Sequence, residues 1–193
     1  MALGFYFNME NCIGCRTCQV ACKDRHDMHS VGPRPRRVTT FECGSYPEVG
    51  MFTHVMSCNH CENPACVAAC PAGALQKDPE TGIVLHDAEV CITCKTCMEI
   101  CPYGAPQFDE VANLIVKCDT CLDLRTAGMK PNCVAACPMR ALDFGDLDDL
   151  RAQYGDDLVS DLPFLPSSEE THPNVLIKAS AAGQRDDFAE IVM

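Results

Sequence analysis

The sequence is poor in large apolar side chains. It has no tryptophan, and aromatic residues make up 6% of its 193 residues. It also has no apolar run of about 18 residues, the length that a membrane-spanning helix needs. A chain of this kind cannot rely on one large hydrophobic core, so we expect covalent or metal cross-links to supplement the core. Any contact with a bilayer is then expected to come through a partner.

Signals for export and for catalysis are missing as well. The N-terminal stretch MALGFYFNMENC has no basic region and no long apolar segment before Cys12, which predicts that there is no secretory signal. The sequence contains no G-x-S-x-G, P-loop, G-x-G-x-x-G or H-E-x-x-H motif. Its net charge of −12 argues against a nucleic-acid partner.

Cysteine, in contrast, is abundant, with 17 residues in the chain. Sixteen of them fall into four groups of four, and Cys43 stands alone. In chain order the groups are Cys12, Cys15, Cys18 and Cys22; Cys58, Cys61, Cys66 and Cys70; Cys91, Cys94, Cys97 and Cys101; and Cys118, Cys121, Cys133 and Cys137.

The groups repeat in pairs. Groups one and three share C-I-x-C-[RK]-T-C-x3-C, and groups two and four end in C-V-A-A-C-P-x-x-A-L, at 66–75 and at 133–142. Such a recurrence indicates an ancestral unit of about 70 residues that is used twice. The sequence therefore predicts two similar modules.

Three chemistries compete for these thiols. Disulfide frameworks belong to small secreted chains with an even number of cysteines, whereas this number is odd and no export signal is visible. Structural zinc takes two ligands from each of two C-x2-C pairs, which suits groups two and four but not the C-x2-C-x2-C loops of groups one and three. Three thiolates on one loop suit three corners of an iron–sulfur cubane, and the run C-x2-C-x2-C-x3-C-P is the bacterial ferredoxin pattern. Sixteen ligands therefore predict four [4Fe–4S] clusters.

Four longer strings are distinctive: S-C-N-H-C-E-N-P-A-C at 57–66, C-M-E-I-C-P-Y-G-A-P-Q at 97–107, K-C-D-x-C at 117–121 and C-P-M-R-A-L-D-F-G at 137–145. On these strings the sequence resembles the four-cluster iron–sulfur subunits of the dimethyl sulfoxide reductase family of molybdopterin oxidoreductases. The resemblance covers roughly residues 1–180.

The resemblance implies an α+β fold of two interleaved ferredoxin-like modules with short strands and helices. One module is expected to comprise residues 1–50 and 103–145 with groups one and four, and the other residues 51–102 with groups two and three. Residues 146–193 are expected to form an irregular acidic C-terminal extension that wraps on a partner or on the modules.

The resemblance also implies which cysteines share a cluster. The expected sets are Cys12, Cys15 and Cys18 with Cys137; Cys58, Cys61 and Cys66 with Cys101; Cys91, Cys94 and Cys97 with Cys70; and Cys118, Cys121 and Cys133 with Cys22. Related nitrate reductase subunits replace one group-three cysteine with tryptophan and hold a three-iron cluster. Because Cys97 keeps the thiolate here, four complete clusters are expected.

A row of one-electron centres without an open coordination site cannot bind a substrate, so we expect an electron-transfer subunit and not an enzyme. The resemblance implies a catalytic partner that holds a molybdenum or tungsten bis-pterin cofactor, and a second partner that is a membrane anchor or a soluble electron carrier. The chain is then expected at the membrane through a partner, on the outer face by co-export or in the cytoplasm. The alternative is an independent cytoplasmic polyferredoxin that serves several redox enzymes.

Side chains outside the cysteine groups have functional and structural interpretations. Cations beside the cysteines are expected to offset cluster charge, namely Arg16, Lys95, Lys117 and Arg140. The basic segment with Arg34, Arg36 and Arg37 either offsets cluster charge, docks on an acidic partner or lies in a solvated loop. The histidines are expected to be structural or exposed, namely His26, His29, His54, His60, His86 and His172. Cys43 is expected to fill space in the interior, with a redox-active thiol as the alternative.

Local patterns predict short strands at 4–9, 51–57, 113–117 and 141–144, and a hairpin that turns at Asp78–Gly82. Residues 31–46 show no regular pattern. The first helix is expected to reach Met28, because Lys23 stands where the other groups have proline after their last cysteine. A further helix is expected to begin after Asp146 and to end at Gly155. Residues 161–174 are expected to run extended.

Overall fold

The computed structural model describes residues 2–191. Its strands are β1 (Leu3–Asn8), β2 (Arg37–Cys43), β3 (Gly50–Met56), β4 (Leu75–Lys77), β5 (Val84–His86), β6 (Gln107–Asp109), β7 (Leu114–Val116), β8 (Leu142–Asp146), β9 (Val175–Lys178) and β10 (Phe188–Ile191). Its α-helices are α1 (Thr17–Arg25), α2 (Ala65–Ala68), α3 (Thr96–Ile100), α4 (Leu122–Thr126), α5 (Asn132–Ala135), α6 (Leu147–Tyr154) and α7 (Ser168–Thr171). Over these described residues no helix is long and apolar enough to cross a membrane.

Strand β1 is the centre of a three-stranded sheet. It pairs antiparallel with β8 and parallel with β9, so that Phe5 lies opposite both Phe144 and Val175. Phe5 and Phe7 belong to the main core, while Tyr6 on the other face belongs to a smaller core under α6. A strand that is buried on both faces carries consecutive apolar residues, which explains the weak alternation in its sequence.

A second sheet has β2 at its centre, antiparallel to both β3 and β10. Phe41, Phe52, Phe188 and Phe164 pack together on it, with ring centroids 5.0–5.9 Å apart. Phe164 lies between α6 and α7, and Phe188 lies on β10. The C-terminal part of the protein therefore completes this aromatic cluster.

Two small hairpins, β4–β5 and β6–β7, flank the cysteine loops. In the first, the Asp78 carboxylate accepts a hydrogen bond from the backbone N–H of Glu80 at 2.9 Å. Gly82 has a φ of 72°, a left-handed conformation that glycine adopts without steric cost. The hairpin predicted from these turn residues is confirmed.

The short helices that follow the cysteine loops pack in two pairs. Helix α1 contacts α5, and α2 contacts α3. The first pair belongs to cysteine groups one and four, and the second pair belongs to groups two and three. The fold thus brings together loops that lie far apart in the sequence.

Two local predictions about the N-terminal part are wrong. Residues 31–46 include β2, in which Val38 and Thr40 are buried while Thr39 between them is not. This alternation is typical of a strand. The first helix ends at Arg25 rather than at Met28, because Asp27 takes a left-handed conformation with a φ of 52° and stops the helix.

The C-terminal segment is more regular than expected. Asp146 caps α6 as predicted, since its carboxylate accepts hydrogen bonds from the N–H groups of Asp148 and Asp149, and Gly155 ends the helix. The expected extended run at 161–174 is interrupted by α7, which follows Ser167. Strand β9 then adds to the first sheet beside β1, and strand β10 adds to the second sheet beside β2. The C-terminal segment therefore folds back onto the rest of the protein.

Candidate iron–sulfur centres

All seventeen cysteines are free thiols. Three cavities are each lined by four of them. The first is lined by Cys12, Cys15, Cys18 and Cys137; the second by Cys58, Cys61, Cys66 and Cys101; and the third by Cys70, Cys91, Cys94 and Cys97. In each case three thiols come from one loop and the fourth comes from a different cysteine group.

The remaining four grouped thiols, Cys22, Cys118, Cys121 and Cys133, are all buried. They also lie close to one another, since the charges of Cys121 and Cys133 act on Cys22 and those of Cys22 and Cys133 act on Cys118. Below, the four assemblies are named set A (with Cys12), set B (with Cys22), set C (with Cys58) and set D (with Cys91). The structure brings together the cysteines that the sequence analysis expected to share a cluster.

Sets A and D have loops of the same backbone shape. Gly14 and Arg16 have φ values of 67° and 62°, and the equivalent Thr93 and Lys95 have values of 53° and 65°. Left-handed backbone is unfavourable for a β-branched residue such as Thr93, so the surrounding structure must hold it. Two sequence copies thus adopt one conformation, which turns three successive thiols toward a common point.

Backbone N–H groups point at several of these sulfur atoms. Ala141 donates to Cys137 at 3.3 Å, Thr120 donates to Cys118 at 3.3 Å and Thr93 donates to Cys91 at 3.4 Å. Hydrogen bonds of this kind stabilise thiolate and tune the potential of iron–sulfur clusters. The loops therefore offer more than the ligand atoms.

Burial keeps most of these thiols neutral when no metal is bound. It raises the pKa of Cys22 and of Cys66 to about 12, and that of Cys18 to about 11. For Cys18 and Cys22 the positive charge of Arg36 offsets part of the increase. Metal ligation requires thiolates, so loading of such sites is coupled to proton release.

Cys15 and Cys94 differ from the other grouped thiols because they are exposed. Each lies beside a threonine hydroxyl, with Cys15 Sγ 3.3 Å from Thr17 Oγ1 and Cys94 Sγ 3.4 Å from Thr96 Oγ1. These hydroxyl groups lower the pKa of both thiols. Sets A and D thus each have one thiol at the protein surface.

Three of the four cations named from the sequence lie beside the sets. Arg16 lines the cavity of set A, and Lys95 lines that of set D. Lys117 is buried and donates to the carbonyl oxygens of Val84 and Cys118. Arg140 is exposed and donates to the carbonyl oxygen of Ala135 at 3.3 Å.

Arg36 is the site residue that the sequence did not distinguish from its neighbours. Its side chain is 2% exposed, and Nη2 donates to Cys133 Sγ at 3.4 Å. Arg34, in contrast, is exposed and Arg37 is partly buried. The solvated-loop interpretation is therefore wrong for Arg36, because β2 begins directly after it and carries it into the interior.

Two histidines are buried, two are partly buried and two are exposed. His54 and His60 are buried, and His60 Nδ1 accepts a hydrogen bond from the N–H of Val84 at 3.1 Å. His29 is exposed beside Asp27, and His26 Nε2 lies 3.5 Å from Asp119 Oδ1. His86 and His172 are placed on β5 and directly after α7.

Cys43 lies at the end of β2 and is 2% exposed. Its thiol lies 3.8 Å from the carbonyl oxygen of Ala182. It packs in the main core. The structure thus places it in the interior, away from the irregular loop in which the sequence located it.

Comparison with known proteins agrees with this arrangement. The family described as a 4Fe-4S dicluster domain matches residues 49–147, and the 4Fe-4S binding domain matches residues 3–24. The protein is 44% identical over 186 residues to the iron–sulfur chain of the anaerobic dimethyl sulfoxide reductase of Escherichia coli, covering 92% of this protein and 89% of the relative. The corresponding relative from Haemophilus influenzae is 41% identical over 184 residues, covering 91% and 88%. A subunit of the sulfite dehydrogenase of Allochromatium vinosum is 38% identical over 167 residues, covering 76% and 70%.

The fold and the cysteine sets together define a ferredoxin-like [4Fe–4S] protein of the electron-transfer class. More narrowly, the protein belongs to the family that includes the iron–sulfur subunits of anaerobic dimethyl sulfoxide reductases. It is an electron-transfer subunit of an oxidoreductase complex and not the catalytic subunit, as the sequence analysis expected.

Proposed function

We propose that each of sets A to D holds one [4Fe–4S] cluster, and that the protein relays electrons between a molybdopterin catalytic subunit and a membrane-anchor subunit or soluble carrier. The observation that carries the proposal is the convergence of sixteen free thiols into four assemblies of four. When bound, a cluster of this kind accepts and releases a single electron. The donor set fits iron, because each loop supplies closely spaced thiols together with backbone N–H donors.

The module boundaries are part of the proposal. Residues 1–50 and 103–145 are assigned to a module with sets A and B, and residues 51–102 to a module with sets C and D. The packing of α1 on α5, and of α2 on α3, supports this interleaving. Residues 146–193, of which 192 and 193 lie outside the described range, are assigned to an extension that covers both modules. The pairing of β9 with β1 supports its contact with the first module, and the hydrogen bonds from the N–H groups of Glu62 and Asn63 to the carbonyls of His172 and Thr171 support its contact with the second.

Exposure suggests where electrons enter and leave. Cys15 of set A and Cys94 of set D are exposed, whereas the thiols of set B are all buried. Beside each exposed thiol stands an apolar side chain, Ile13 or Ile92, each 63% exposed. Apolar surface around a redox site suits contact with another protein. We therefore assign sets A and D to the ends of the relay, and sets B and C to its middle.

One face beside set A is basic. Arg16, Arg34 and Arg37 line a groove together with one carboxylate, that of Glu190, so positive charge is in excess there. None of these three cations forms an ion pair with a residue in the described range 2–191. Because the protein as a whole carries a net charge of −12, such a groove favours a partner subunit with an acidic segment. The protein is then held at the membrane by its partners, and the side of the membrane is left open.

Metal analysis of anaerobically purified protein tests the proposal. Four cubanes require about 16 iron atoms per molecule and an equal amount of acid-labile sulfide. Zinc in place of iron, or enough iron for only one or two clusters, would contradict it. An obligate subunit should also co-purify with a large partner, whereas an independent polyferredoxin should purify alone.

A further inference from the structure

Arg36 is a buried cation with unusual surroundings. Its guanidinium carbon lies 4.3 Å from the centroid of the Phe5 ring, and its Nη2 donates to Cys133 Sγ at 3.4 Å. Its Nε has no hydrogen-bond partner. Only 2% of the residue is exposed to solvent.

A buried guanidinium requires a counter-charge. Transfer of an unpaired ion into a protein interior is strongly unfavourable, and arginine cannot lose its proton to avoid the cost. Among residues 2–191, no carboxylate forms an ion pair with Arg36. The groups whose charge acts on Arg36 are cysteine thiols, which become thiolates when metal is bound.

These thiolates belong to two different sets. Four thiols lie near enough to Arg36 for their charge to act on it, namely Cys133, Cys118, Cys18 and Cys22, and Cys133 Sγ accepts its hydrogen bond at 3.4 Å. Cys18 belongs to set A, and the other three belong to set B. Arg36 thus lies where the charge of either set acts on it.

We propose that Arg36 is a shared counter-cation of the clusters in sets A and B and raises the reduction potential of both. The proposal rests on the assignment of one cluster to each set. A fixed positive charge in a poorly solvated interior stabilises each added electron, and one charge placed between two sites acts on both. In the described part of the protein, the guanidinium beside set C is that of Arg37, which is only partly buried and lies near Cys101. Lys117 also lies beside set C, and Lys95 lies beside set D.

Three substitutions separate charge from shape. Arg36→Met removes the charge and keeps a long apolar stem over Phe5. Arg36→Gln removes the charge but keeps an N–H donor for Cys133. Arg36→Lys keeps the charge and loses the planar group. Arg151→Met is the control, because Arg151 is exposed on α6, which carries no grouped cysteine and lies outside the basic groove.

The measurement is a redox titration of the anaerobically purified protein followed by electron paramagnetic resonance, with iron content determined on the same samples. In the Met and Gln variants we expect two of the four potentials to fall, each by at least a tenfold change in the equilibrium constant for reduction, which is about 59 mV for one electron. The other two potentials, and all four in the Lys variant and in the Arg151 control, should change by much less.

Each outcome decides the proposal. Full iron with four unchanged potentials in the Met and Gln variants would overturn it. Loss of iron in those two variants with retention in the Lys variant supports it, because charge is then what the sites require. Loss of iron in all three variants would overturn it in favour of a role in shape alone. A wild-type protein with much less than four clusters' iron would instead disprove the proposed function, before any variant is compared.

Discussion

The hydroxyl oxygen of Tyr103 lies 3.2 Å from Oγ1 of Thr171. Both residues are buried, with exposures of 5% and 4%, although they are 68 positions apart in the sequence. Thr171 also lines the set C cavity, where burial raises the pKa of Cys61 and the Thr171 side chain offsets part of that increase. The C-terminal segment therefore reaches set C through one threonine side chain.

Backbone contacts strengthen this connection. The N–H of Glu62 donates to the carbonyl of His172 at 2.7 Å, and that of Asn63 donates to the carbonyl of Thr171 at 3.0 Å. The side-chain amide of Asn174 donates to the carbonyl of His60 at 2.7 Å. The C-terminal segment thus covers the loop that carries three thiols of set C.

Replacement of Thr171 by valine should weaken set C specifically. The change keeps the shape but leaves the Tyr103 hydroxyl without its buried partner, which costs about 1–3 kcal/mol of folding free energy. We expect a quarter of the iron to be lost faster to a chelator than the rest. Timed chelation followed by iron analysis measures this, with denaturation to give the stability change.

Two further variants make this test specific. Thr126→Val is the control, because Thr126 is exposed and its hydroxyl only donates to the carbonyl of Leu122 at 2.8 Å. The double variant with Thr171→Val and Tyr103→Phe should be destabilised by much less than the sum of the two single variants, because each single change already removes the same hydrogen bond. Additive costs, or iron loss spread evenly over the four sets, would contradict the contact's assigned role.

The pairing of cysteines predicts which substitutions affect the same cluster. Cys22→Ser should perturb the resonance signal of set B, and Cys137→Ser that of set A, although Cys22 belongs to the same sequence motif as Cys12. Cys97→Ser should convert or remove the set D cluster and leave three intact. Iron content and paramagnetic resonance spectra of each variant measure this.

Comparison with Cys12→Ser completes the cysteine test. Its spectrum should match that of Cys137→Ser and differ from that of Cys22→Ser. A match between Cys12→Ser and Cys22→Ser would mean that each motif builds its own cluster. Loss of all four signals in Cys97→Ser would show that the sets are not independent.

The sequence predicted the parts that depend on local chemistry. The turn residues Asp78 and Gly82 gave the first hairpin, and Asp146 marked the start of α6. Cysteine spacing predicted iron rather than disulfides because three thiols on a short loop are a local property. The shared ligand sets required the family resemblance, since spacing alone does not say which distant cysteine completes each set.

The rest of the fold depends on contacts between distant segments. Nothing in the sequence distinguishes Arg36 from Arg34. Arg36 is buried and Arg34 is exposed because Arg36 directly precedes β2, which lies between β3 and β10. The alternation of Val38 and Thr40 is a signal for this strand that a search for longer patterns misses. Thr171 gives no sign in the sequence that it reaches Tyr103, because hydrogen bonding between distant residues follows from the fold.

The buried His54 should make the protein more sensitive to acid. Burial, together with the charges of Arg36 and Arg37, lowers its pKa to about 3. In the unfolded chain this histidine takes up a proton near pH 6.5, whereas in the folded protein it stays neutral down to about pH 3. The free energy of unfolding therefore falls as the pH decreases through this interval. The His54→Phe variant has no such histidine, so its free energy of unfolding should fall less steeply on acidification. The difference in slope from the wild type should be at most about 1.4 kcal/mol per pH unit.

Denaturation at pH values between neutral and about 5.5 tests this prediction. At neutral pH the variant should remain close to the wild type, because the ring packs against Phe7 and Phe164 and its Nδ1 has no hydrogen-bond partner. His29→Gln is the control, since His29 is exposed beside Asp27. Parallel stability curves for His54→Phe and the wild type would disprove the assignment of a neutral histidine.

The basic groove should determine how tightly the protein holds an acidic partner. The double variant Arg34→Glu and Arg37→Glu reverses two of the three positive charges that line the groove. The amount of partner subunit that co-purifies should therefore fall severalfold. The loss should be larger at low salt than at high salt, because screening weakens exposed charge pairs. Arg151→Glu, an exposed change on α6 outside the groove, is the control. Equal recovery of partner with the groove variant and the control, at iron contents matching the wild type, would place the contact on another face of the protein.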